Sequence, residues 1–286
     1  MKKIVLTTLT FLGLFSSATA QSHVWEVSKG NDKLFLGGTI HALRSTDFPL
    51  PEAYNQAFEK AETLVFETDM EVLKTPEFAQ KMMAQAVYAD RSTLKDHLKP
   101  ETFAEFEKYC ESSGIPLAML QSFKPFMAVT MITGQKIMQL GFQPGGIDQF
   151  FYDKATSAKK PITYFETPDE QIAILLNSGA GNEDAMMLKF IEDLRDMETI
   201  LNQLVEALKN GNAKHLSDEI AKFETNYPKV YATLLKERND KWLAKIPEYF
   251  NTKEVELVLV GAMHLYGEDG LLEALKNQGY QITSVK

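Results

Sequence analysis

The sequence of 286 residues contains a single cysteine, Cys110, so no disulfide can form within one chain. Oxidising compartments permit disulfides but do not require them, and we expect Cys110 to be a small buried apolar residue. The chain also lacks a cluster of basic residues. Its 30 Lys and Arg residues are outnumbered by 39 Asp and Glu residues. An acidic balance of this kind argues against a nucleic acid as the partner.

Several familiar catalytic motifs are absent as well. The sequence has no His-Glu-x-x-His, no Gly-x-Ser-x-Gly, no Walker phosphate-binding loop and no Gly-x-Gly-x-x-Gly. These absences weigh against zincins, serine hydrolases and nucleotide-binding enzymes. After the N-terminal segment, no apolar run is long enough to span a bilayer.

The first 20 residues have the organisation of a signal peptide. Lys2 and Lys3 precede an apolar stretch over 4–15, and small residues at 18–20 predict cleavage near Ala20. There is no cysteine at this junction, which argues against a lipid anchor. The sequence therefore predicts a soluble protein exported to the periplasm or beyond the cell. The mature chain has about 266 residues with 28 basic and 39 acidic side chains, a formal charge of −11.

The order of elements predicts an α/β fold formed by one domain over 21–286. Strands over 23–27 and 33–40 flank a five-residue loop, and a helix over 53–61 leads to a strand over 63–67, which indicates a βαβ unit. Residues 76–138 have a helical pattern, with helices at 78–88, 100–112 and 125–138. A strand over 160–166, several helices to 250, a strand over 256–261, a helix over 270–278 and a short strand over 281–285 complete the predicted elements. We expect both ends of the chain to build one mixed sheet, with a large helical insertion beside it.

Two predicted strands end in the same motif, Gly-x-x-His. Gly38 and His41 follow the first apolar run, and Gly261 and His264 follow the last. Polar side chains just past buried strands lie where α/β folds place their chemistry. The alternative is that each histidine is a neutral core residue bonded to a backbone carbonyl. The repeated context favours a shared site.

Two further strands end in carboxylates, Glu67 and Glu166, which are costly to bury unless they are paired or bind a metal. Two histidines and a carboxylate form a plausible divalent-metal set. The alternatives for Glu67 and Glu166 are an exposed strand end or an ion pair with an arginine. Asp69 is as well suited to capping the next helix as to binding a metal.

Other polar residues have ordinary interpretations from spacing alone. Asp148 suits the first turn of a helix, and Arg238 and Asn239 lie on a charged, solvated helix face. His97 and His215 occur in polar helical contexts typical of surface residues. His23 is either a frayed residue or a strand residue.

Eight short segments, which follow one another along nearly the whole mature chain, carry a resemblance to a known family. The segments are 38–41 (GTIH), 48–51 (FPLP), 64–67 (LVFE), 146–148 (GID), 165–167 (FET) with Gln171, 237–239 (ERN), 260–265 (VGAMHL) and 270–272 (GLL). Together they resemble the TraB/GumN family. That family is related to the TIKI metalloproteases, which carry two Gly-x-x-His motifs and need a divalent ion such as Mn²⁺ or Co²⁺. It is more distantly similar to the erythromycin-esterase and ChaN-like proteins.

The resemblance implies an α/β core of the erythromycin-esterase and ChaN-like kind. In such a core the motif histidines and a strand-end glutamate meet in one cleft. Carried over to this chain, the site comprises His41, Glu67 and His264, with Arg238 and Asn239 nearby. The bacterial members have mostly not been characterised, so proteolysis is an inference from relatives.

These observations lead us to expect a metal-dependent hydrolase of peptide or related amide or ester bonds. His41 and His264 would supply nitrogen ligands to Mn, Co, Fe or Zn, and Glu67 an oxygen ligand or the general base. Arg238 is a candidate for stabilising the oxyanion, and Asn239 for orienting substrate or a ligating histidine. Glu166 is the reserve carboxylate, either as a fourth ligand or as the partner of Arg238.

Two alternatives remain open at this point. In a metal-free variant His41 is the base and Glu67 orients it. In the non-enzymatic alternative the protein is an exported binding module for haem, metal or a peptide, which the ChaN-like resemblance and the helices rich in Met and Phe suggest, although Met and Phe are more often core residues than ligand contacts. The helical region over 76–138 could be a lid, a substrate wall or a partner surface.

Overall fold

The computed structural model describes residues 23–286, so the predicted signal peptide over 1–20 lies outside the described residues. The strands are β1 Val24–Lys29, β2 Asp32–Thr39, β3 Ala42–Leu43, β4 Thr63–Phe66, β5 Gln143–Pro144, β6 Ile162–Tyr164, β7 Glu256–Gly261 and β8 Gln281–Ser284. The first helices are α1 Glu52–Lys60, α2 Met70–Leu73, α3 Pro76–Ala86, α4 Leu94–His97, α5 Pro100–Ser112, α6 Pro125–Gln139 and α7 Gly146–Ala158. The later helices are α8 Pro168–Asn177, α9 Glu183–Asn210, α10 Ala213–Asn226, α11 Pro228–Tyr231, α12 Glu237–Tyr249 and α13 Leu271–Asn277.

Six strands form one mixed sheet in the order β6-β4-β7-β2-β1-β8. The neighbouring strands β6, β4, β7 and β2 run parallel to one another, whereas β1 is antiparallel to both β2 and β8. Strands β3 and β5 form a separate small sheet. The expectation of an α/β fold whose sheet joins both ends of the chain is confirmed.

Strand β7, the last strand but one in the chain, lies between β2 and β4, the two strands of the N-terminal βαβ unit. Gly38 pairs with Val260 and Thr39 with Gly261, while Phe66 of β4 pairs with Leu259. All six residues of β7 are buried, as expected for a parallel strand covered on both faces. The carboxyl ends of β2, β4 and β7 therefore meet at one edge of the sheet.

The sheet separates two apolar layers because successive side chains of a strand point to opposite faces. Leu257 and Leu259 pack in the larger layer, which includes residues of α1, α5, α6, α7 and α9. Val258 and Val260 pack in the other layer, which includes Trp242 of α12 and residues of α13. Within residues 23–286, no helix is both long and apolar enough to cross a membrane.

The N-terminal hairpin is tighter than the sequence predicts. Its strands extend to Lys29 and Asp32, which pair with each other, so the turn has two residues rather than five. Gly30 occupies the first turn position with a φ of 64°, a conformation that glycine adopts without strain. The right-handed twist of the strands favours this short turn. Ser28, Lys29 and Asp32, which the sequence predicts as loop residues, instead pair between β1 and β2.

Residues 76–138 include the helices α3, α4, α5 and α6, of which Pro100–Ser112 has the expected bounds, whereas the helix expected over 78–88 spans Pro76–Ala86. The strand predicted over 160–166 is shorter, because only Ile162–Tyr164 pair with β4. The helical segment expected over 227–250 is divided into α11, a π-helical turn over 232–236, and α12.

Candidate active site at the ends of β2, β4 and β7

The two Gly-x-x-His segments pack directly against each other at the carboxyl end of the sheet. A β-carbon added to Gly38 would lie 3.0 Å from Leu265 Cδ1 and 3.3 Å from Ala262 Cα. Any larger side chain at position 38 would therefore push the second motif away from the first. This close approach explains why a glycine stands there.

Gly261 lies where three of the expected site residues, His41, Glu67 and His264, come together. A β-carbon at this position would lie 3.3 Å from both His41 Nε2 and Glu67 Oε1, and 3.6 Å from His264 Cδ2. The backbone N–H of Gly261 also donates a hydrogen bond of 2.7 Å to Glu67 Oε1. The missing side chain thus leaves room for a reacting group between an imidazole and a carboxylate.

His41 lies at the mouth of the site, with 66% of its side chain exposed. Its Nδ1 bonds to Asp148 Oδ2 at 2.8 Å, and Thr39 Oγ1 donates to the other carboxylate oxygen at 2.9 Å. The charge of Asp148 raises the pKa of His41 to about 9. Asp148 does lie in the first helical turn, as its spacing indicates, but its side chain orients the histidine and leaves Nε2 facing Gly261.

The start of α7 is fixed against the first motif by backbone contacts. The N–H of Gly145 donates to the carbonyl of His41 at 2.7 Å, and the N–H of Ile147 donates to that of Ile40 at 3.0 Å. Gly146 has a φ of 45°, and a β-carbon there would lie 1.8 Å from the Ile40 carbonyl oxygen. Only glycine permits this approach, which places Asp148 within reach of His41.

His264 is buried, and its ring is fixed by Asn239. Because the amide oxygen Oδ1 only accepts, His264 Nδ1–H donates to it at 2.7 Å. Asn239 Nδ2 donates in turn to the carbonyls of His264 at 3.1 Å and Asp269 at 2.8 Å. Burial lowers the pKa of His264 to about 3, so the ring is neutral with its lone pair on Nε2.

Arg238 lies at the centre of the buried polar cluster. Its Nη2 donates to Glu67 Oε2 at 2.6 Å and to Glu166 Oε2 at 2.9 Å, and its Nε donates to Glu166 Oε1 at 2.8 Å. Its Nη1 lies 3.1 Å from His264 Nε2 and 3.5 Å from the carbonyl oxygen of Leu234. The solvated helix face expected from spacing alone is wrong, because Arg238 and Asn239 are 6% and 2% exposed.

This cluster keeps the carboxylate of Glu67 ionised. Burial raises the pKa of Glu67, but the electrostatic interactions with Arg238, His264 and His41 and the hydrogen bond from the Gly261 N–H together outweigh it and hold the pKa well below its usual range. Glu67 and Glu166 together raise the pKa of Arg238 above its usual value despite burial. Trp242 Nε1 donates to Glu166 Oε1 at 3.1 Å, and the Arg238 guanidinium lies 4.7 Å from the Trp242 ring centroid. Sequence patterns gave no sign of Trp242.

A cavity of about 350 Å³ opens in front of these groups. One side is polar and is formed by His41, Glu67, Asp148, Gln171 and Arg238. The other side is apolar and is formed by Phe66, Met70, Leu73 and Leu175. This combination of an apolar wall with a few convergent polar groups is typical of small-substrate sites.

The donor atoms expected for a metal are only partly free in this arrangement. His41 Nε2 and Glu67 Oε1 face one point beside Gly261, whereas His264 Nε2 already contacts Arg238 Nη1. Among the residues that the structure describes, no three His, Cys, Asp or Glu side chains are grouped closely enough to hold an ion as they stand. Glu166 is placed as the partner of Arg238 rather than beside Gly261.

The remaining polar residues from the sequence lie outside this cluster. Asp69 caps α2 through the N–H groups of Glu71 and Val72. His97 is exposed and stacks on Tyr88. His23 is buried, with Nε2 2.8 Å from the carbonyl of Ala207 and Nδ1 against the Tyr266 hydroxyl.

Two further expectations concern residues in helices. His215 of α10 is half-buried rather than solvated. Cys110 is buried in the core, as expected. Neither residue contributes to the cluster around Gly261.

The model of the TraB/PrgY/gumN family matches residues 23–284, which include every residue of the cluster. The chain belongs to this family. The family assignment confirms the resemblance drawn from the short motifs. The erythromycin-esterase and ChaN-like comparison stays a resemblance.

Among curated proteins, this family member is similar to YbaP of Escherichia coli and to YbaP of Shigella flexneri. Each is 24% identical over 251 residues, which cover 86% of this chain and 89% of the relative. Both relatives are described as uncharacterised. No solved structure matches this TraB/PrgY/gumN-family chain.

Proposed function

We propose that this TraB/PrgY/gumN-family protein is an exported hydrolase of peptide or related amide or ester bonds. The observation that carries the proposal is the convergence of His41 Nε2 and Glu67 Oε1, each 3.3 Å from one point beside Gly261. An imidazole nitrogen and an ionised carboxylate on either side of a small open space suit the binding and activation of a water molecule between them. The adjoining cavity provides room for the acyl portion of a substrate.

The two imidazoles of His41 and His264 and the carboxylate of Glu67 are chemically suitable ligands for a divalent transition metal such as Mn, Co or Zn. Asp148 behind His41 and Asn239 behind His264 resemble the outer partners that orient metal-binding histidines. Ligand bonds of about 2.0–2.2 Å are shorter than the 3.3 Å spacing, so His41 and Glu67 would have to close on the ion. His264 would join them only after Arg238 releases its Nε2. An ion held there would lower the pKa of a bound water and polarise the scissile carbonyl.

The residues of the chain have distinct tasks in this proposal. Glu67 stays ionised, because Arg238 and the Gly261 N–H hold it, and its Oε1 faces the reacting point. The N–H groups of Arg238 are directed at Glu67, Glu166, His264 and the Leu234 carbonyl. We therefore assign Arg238 the role of a positioning residue, and stabilisation of the oxyanion would require one of these bonds to open.

A metal-free variant is the second candidate, but with other roles than the sequence suggests, because Asp148 rather than Glu67 bonds to His41 Nδ1. With a pKa raised to about 9, His41 is mostly protonated at neutral pH, which suits a proton donor to the leaving group. As a base it would gain strength only as the pH rises towards that value. Turnover in the presence of a chelator separates this variant from the metal-dependent one.

The experiment is a hydrolysis screen of the mature protein on a fluorogenic peptide library, with Mn²⁺, Co²⁺ or Zn²⁺ added or with a chelator. We expect metal-dependent cleavage that is lost in His41→Ala and Glu67→Gln, and kept in His97→Ala, a histidine outside the cavity. Elemental analysis of wild type, His41→Ala and His264→Ala measures the bound metal directly. Full activity in His41→Ala would remove that residue from the mechanism.

The non-enzymatic alternative has a different outcome in the same preparation. A tightly bound absorbing cofactor, with no cleavage of any library member, would favour a haem-, metal- or peptide-binding module. Export rests on the predicted signal peptide over 1–20, and N-terminal sequencing of the protein from the periplasm or the medium tests it. A mature N-terminus near Gln21 is the expected result.

A further inference from the structure

A second cavity, of about 340 Å³, lies apart from the candidate active site. It is bounded by α9 and α10, with α6 and the segment before α12 closing its sides. None of its lining residues belongs to the cavity around His41. Its volume falls in the range of about 300–1,000 Å³ that is usual for small-ligand sites.

The inner part of this cavity is apolar. Its lining includes the side chains of Ile137, Phe190, Met197, Ile200, Leu204 and Met263. Ile200 is half-buried and lines both this cavity and the wider cleft outside it. An apolar group placed here would be removed from water, which stabilises a complex in proportion to the area buried.

The mouth of the cavity has the opposite character. It opens into a cleft of about 580 Å³ that shares Lys189, Asp193, His215 and Glu219 with the cavity. Five carboxylates line this cleft, against two lysines: Glu192, Asp193, Asp196, Asp218 and Glu219, against Lys189 and Lys222. Lys189 pairs with Asp193 and Lys222 with Glu219, and Lys214, from outside the lining, pairs with Asp218. The carboxylates still outnumber these lysines, so the mouth favours a cationic group and disfavours an anionic one.

Lys189 shows how an ammonium group is held in this cleft. It pairs with Asp193, and its Nζ lies 5.3 Å from the Phe223 ring centroid and 6.0 Å from that of Tyr227. Carboxylates and aromatic faces are the groups that recognise ammonium ions. Burial raises the pKa of Asp193, the charge and hydrogen bond of Lys189 oppose this rise, and the nearby Glu192 and Glu219 add to it. A further cation beside these three carboxylates would reduce the repulsion among them.

We propose that the cleft between α9 and α10 binds an alkylammonium compound. Its alkyl chain occupies the apolar cavity above Met263, and its ammonium group lies at the mouth between Asp193 and Glu219. The proposal does not depend on hydrolysis, because no residue of the cleft belongs to the cluster around Gly261. Met263 nevertheless precedes His264, so the cavity adjoins the candidate active site from behind.

The test is isothermal titration of the mature protein with decylammonium chloride, decyl sulfate and decanol, each below its micelle-forming concentration. We expect saturable binding of decylammonium at one site per chain, weaker binding of decanol, and none of decyl sulfate. Equal affinity for decyl sulfate and decylammonium would overturn the proposal, since the carboxylates would then play no part. Absence of saturable decylammonium binding would overturn it as well.

Variants locate the site. Ile200→Trp fills the cavity and should weaken decylammonium binding about tenfold or more, through lost burial of the alkyl chain. Leu188→Trp is the matched control, because Leu188 is an exposed apolar residue of the same helix that does not line the cavity. The double variant Asp193→Asn, Glu219→Gln should weaken decylammonium and leave decanol unchanged. Unaltered decylammonium affinity in Ile200→Trp would place the binding elsewhere.

Discussion

Glu67 and Arg238 form a buried ion pair, with Arg238 Nη2 2.6 Å from Glu67 Oε2 and both side chains at most 10% exposed. The pair joins the end of β4 to α12, although the two residues are 171 positions apart in the chain. The same guanidinium also binds Glu166, so one cation compensates two buried carboxylates. A buried charge left without its partner is strongly destabilising.

Replacement of Arg238 should therefore destabilise the protein. In Arg238→Met both carboxylates lose their cation, and we expect the free energy of unfolding at pH 7 to fall by about 3–5 kcal/mol. Urea unfolding measures this directly. Arg238→Lys keeps the charge but cannot form the two-pronged contact with Glu166, so its loss should be intermediate.

The matched control for this prediction is Arg195→Met. Arg195 pairs with Glu105 at the surface, where the two side chains are 48% and 33% exposed. Such pairs contribute about 0–1 kcal/mol, so the control should be close to wild type. Equal losses in the two methionine variants would mean that the buried cluster has no special importance for stability.

The contact between Asp148 and His41 should make stability depend on pH. The folded pKa of His41 is raised to about 9 from an ordinary value of 6.5, so the folded state binds the proton more tightly. The stabilising contribution is therefore complete below pH 6.5 and is lost as the pH rises through about 9. Unfolding free energies of chelator-treated protein across this window measure it.

Asp148→Asn provides the comparison for this pH dependence. Asparagine keeps the shape of the side chain but removes the charge that raises the pKa of His41. Stability of the variant should vary less than that of wild type over the same window. Identical pH profiles for the two proteins would show that the Asp148 charge does not act on His41.

The ring of His264 should be neutral and carry its proton on Nδ1. Burial lowers its pKa to about 3, and Asn239 Oδ1 fixes the tautomer. In ¹⁵N spectra we expect the Nδ1–H form of His264 to persist from pH 5 to pH 8, with no titration. Asn239→Leu removes the acceptor of the Nδ1 proton but leaves the Arg238 N–H facing Nε2, so the Nδ1–H form should persist in the variant while its proton exchanges faster with water. A protonated ring at neutral pH in wild type would contradict the arrangement.

Much of the fold follows from local sequence patterns. The apolar run 257–260 and the run before Glu67 predict buried strands, and prolines at the helix starts mark α5 and α6. The insertion of β7 between β2 and β4 is not encoded in any local pattern, because strand order depends on contacts between distant residues. The two histidine motifs indicate a shared site before the strand order is known.

The environment of Arg238 was harder to foresee. Its neighbours in sequence are charged, which is typical of a solvated helix face, and the regular helical period supports that interpretation. The π-helical turn over 232–236 interrupts this period just before α12. Such a turn adds a residue to one helical turn, so the side chains that follow face another direction than the period predicts. Only the family resemblance placed Arg238 and Asn239 at the site.

Asp148 illustrates the opposite case. Its position in the first turn of α7 is fully explained by helix formation, so its spacing indicates no second role, although the segment 146–148 is one of those that resemble the family. That role depends on Gly146, whose lack of a side chain lets α7 begin directly against Ile40. A glycine at a helix start was the available signal, but it has several ordinary explanations.

The most direct test of the account is the activity of Gly261→Ala on the best substrate from the peptide library, measured beside Gly134→Ala. Gly261 has a φ of −49°, which alanine adopts without strain, so its methyl group would simply enter the space between His41 and Glu67. Gly134 lies within α6 with nothing within 4 Å of an added β-carbon, and alanine there should leave activity unchanged and stabilise by about 0.5–1 kcal/mol. We predict that Gly261→Ala remains folded and loses about 100-fold in kcat/KM. Full activity in Gly261→Ala would show that the reaction does not take place at this point.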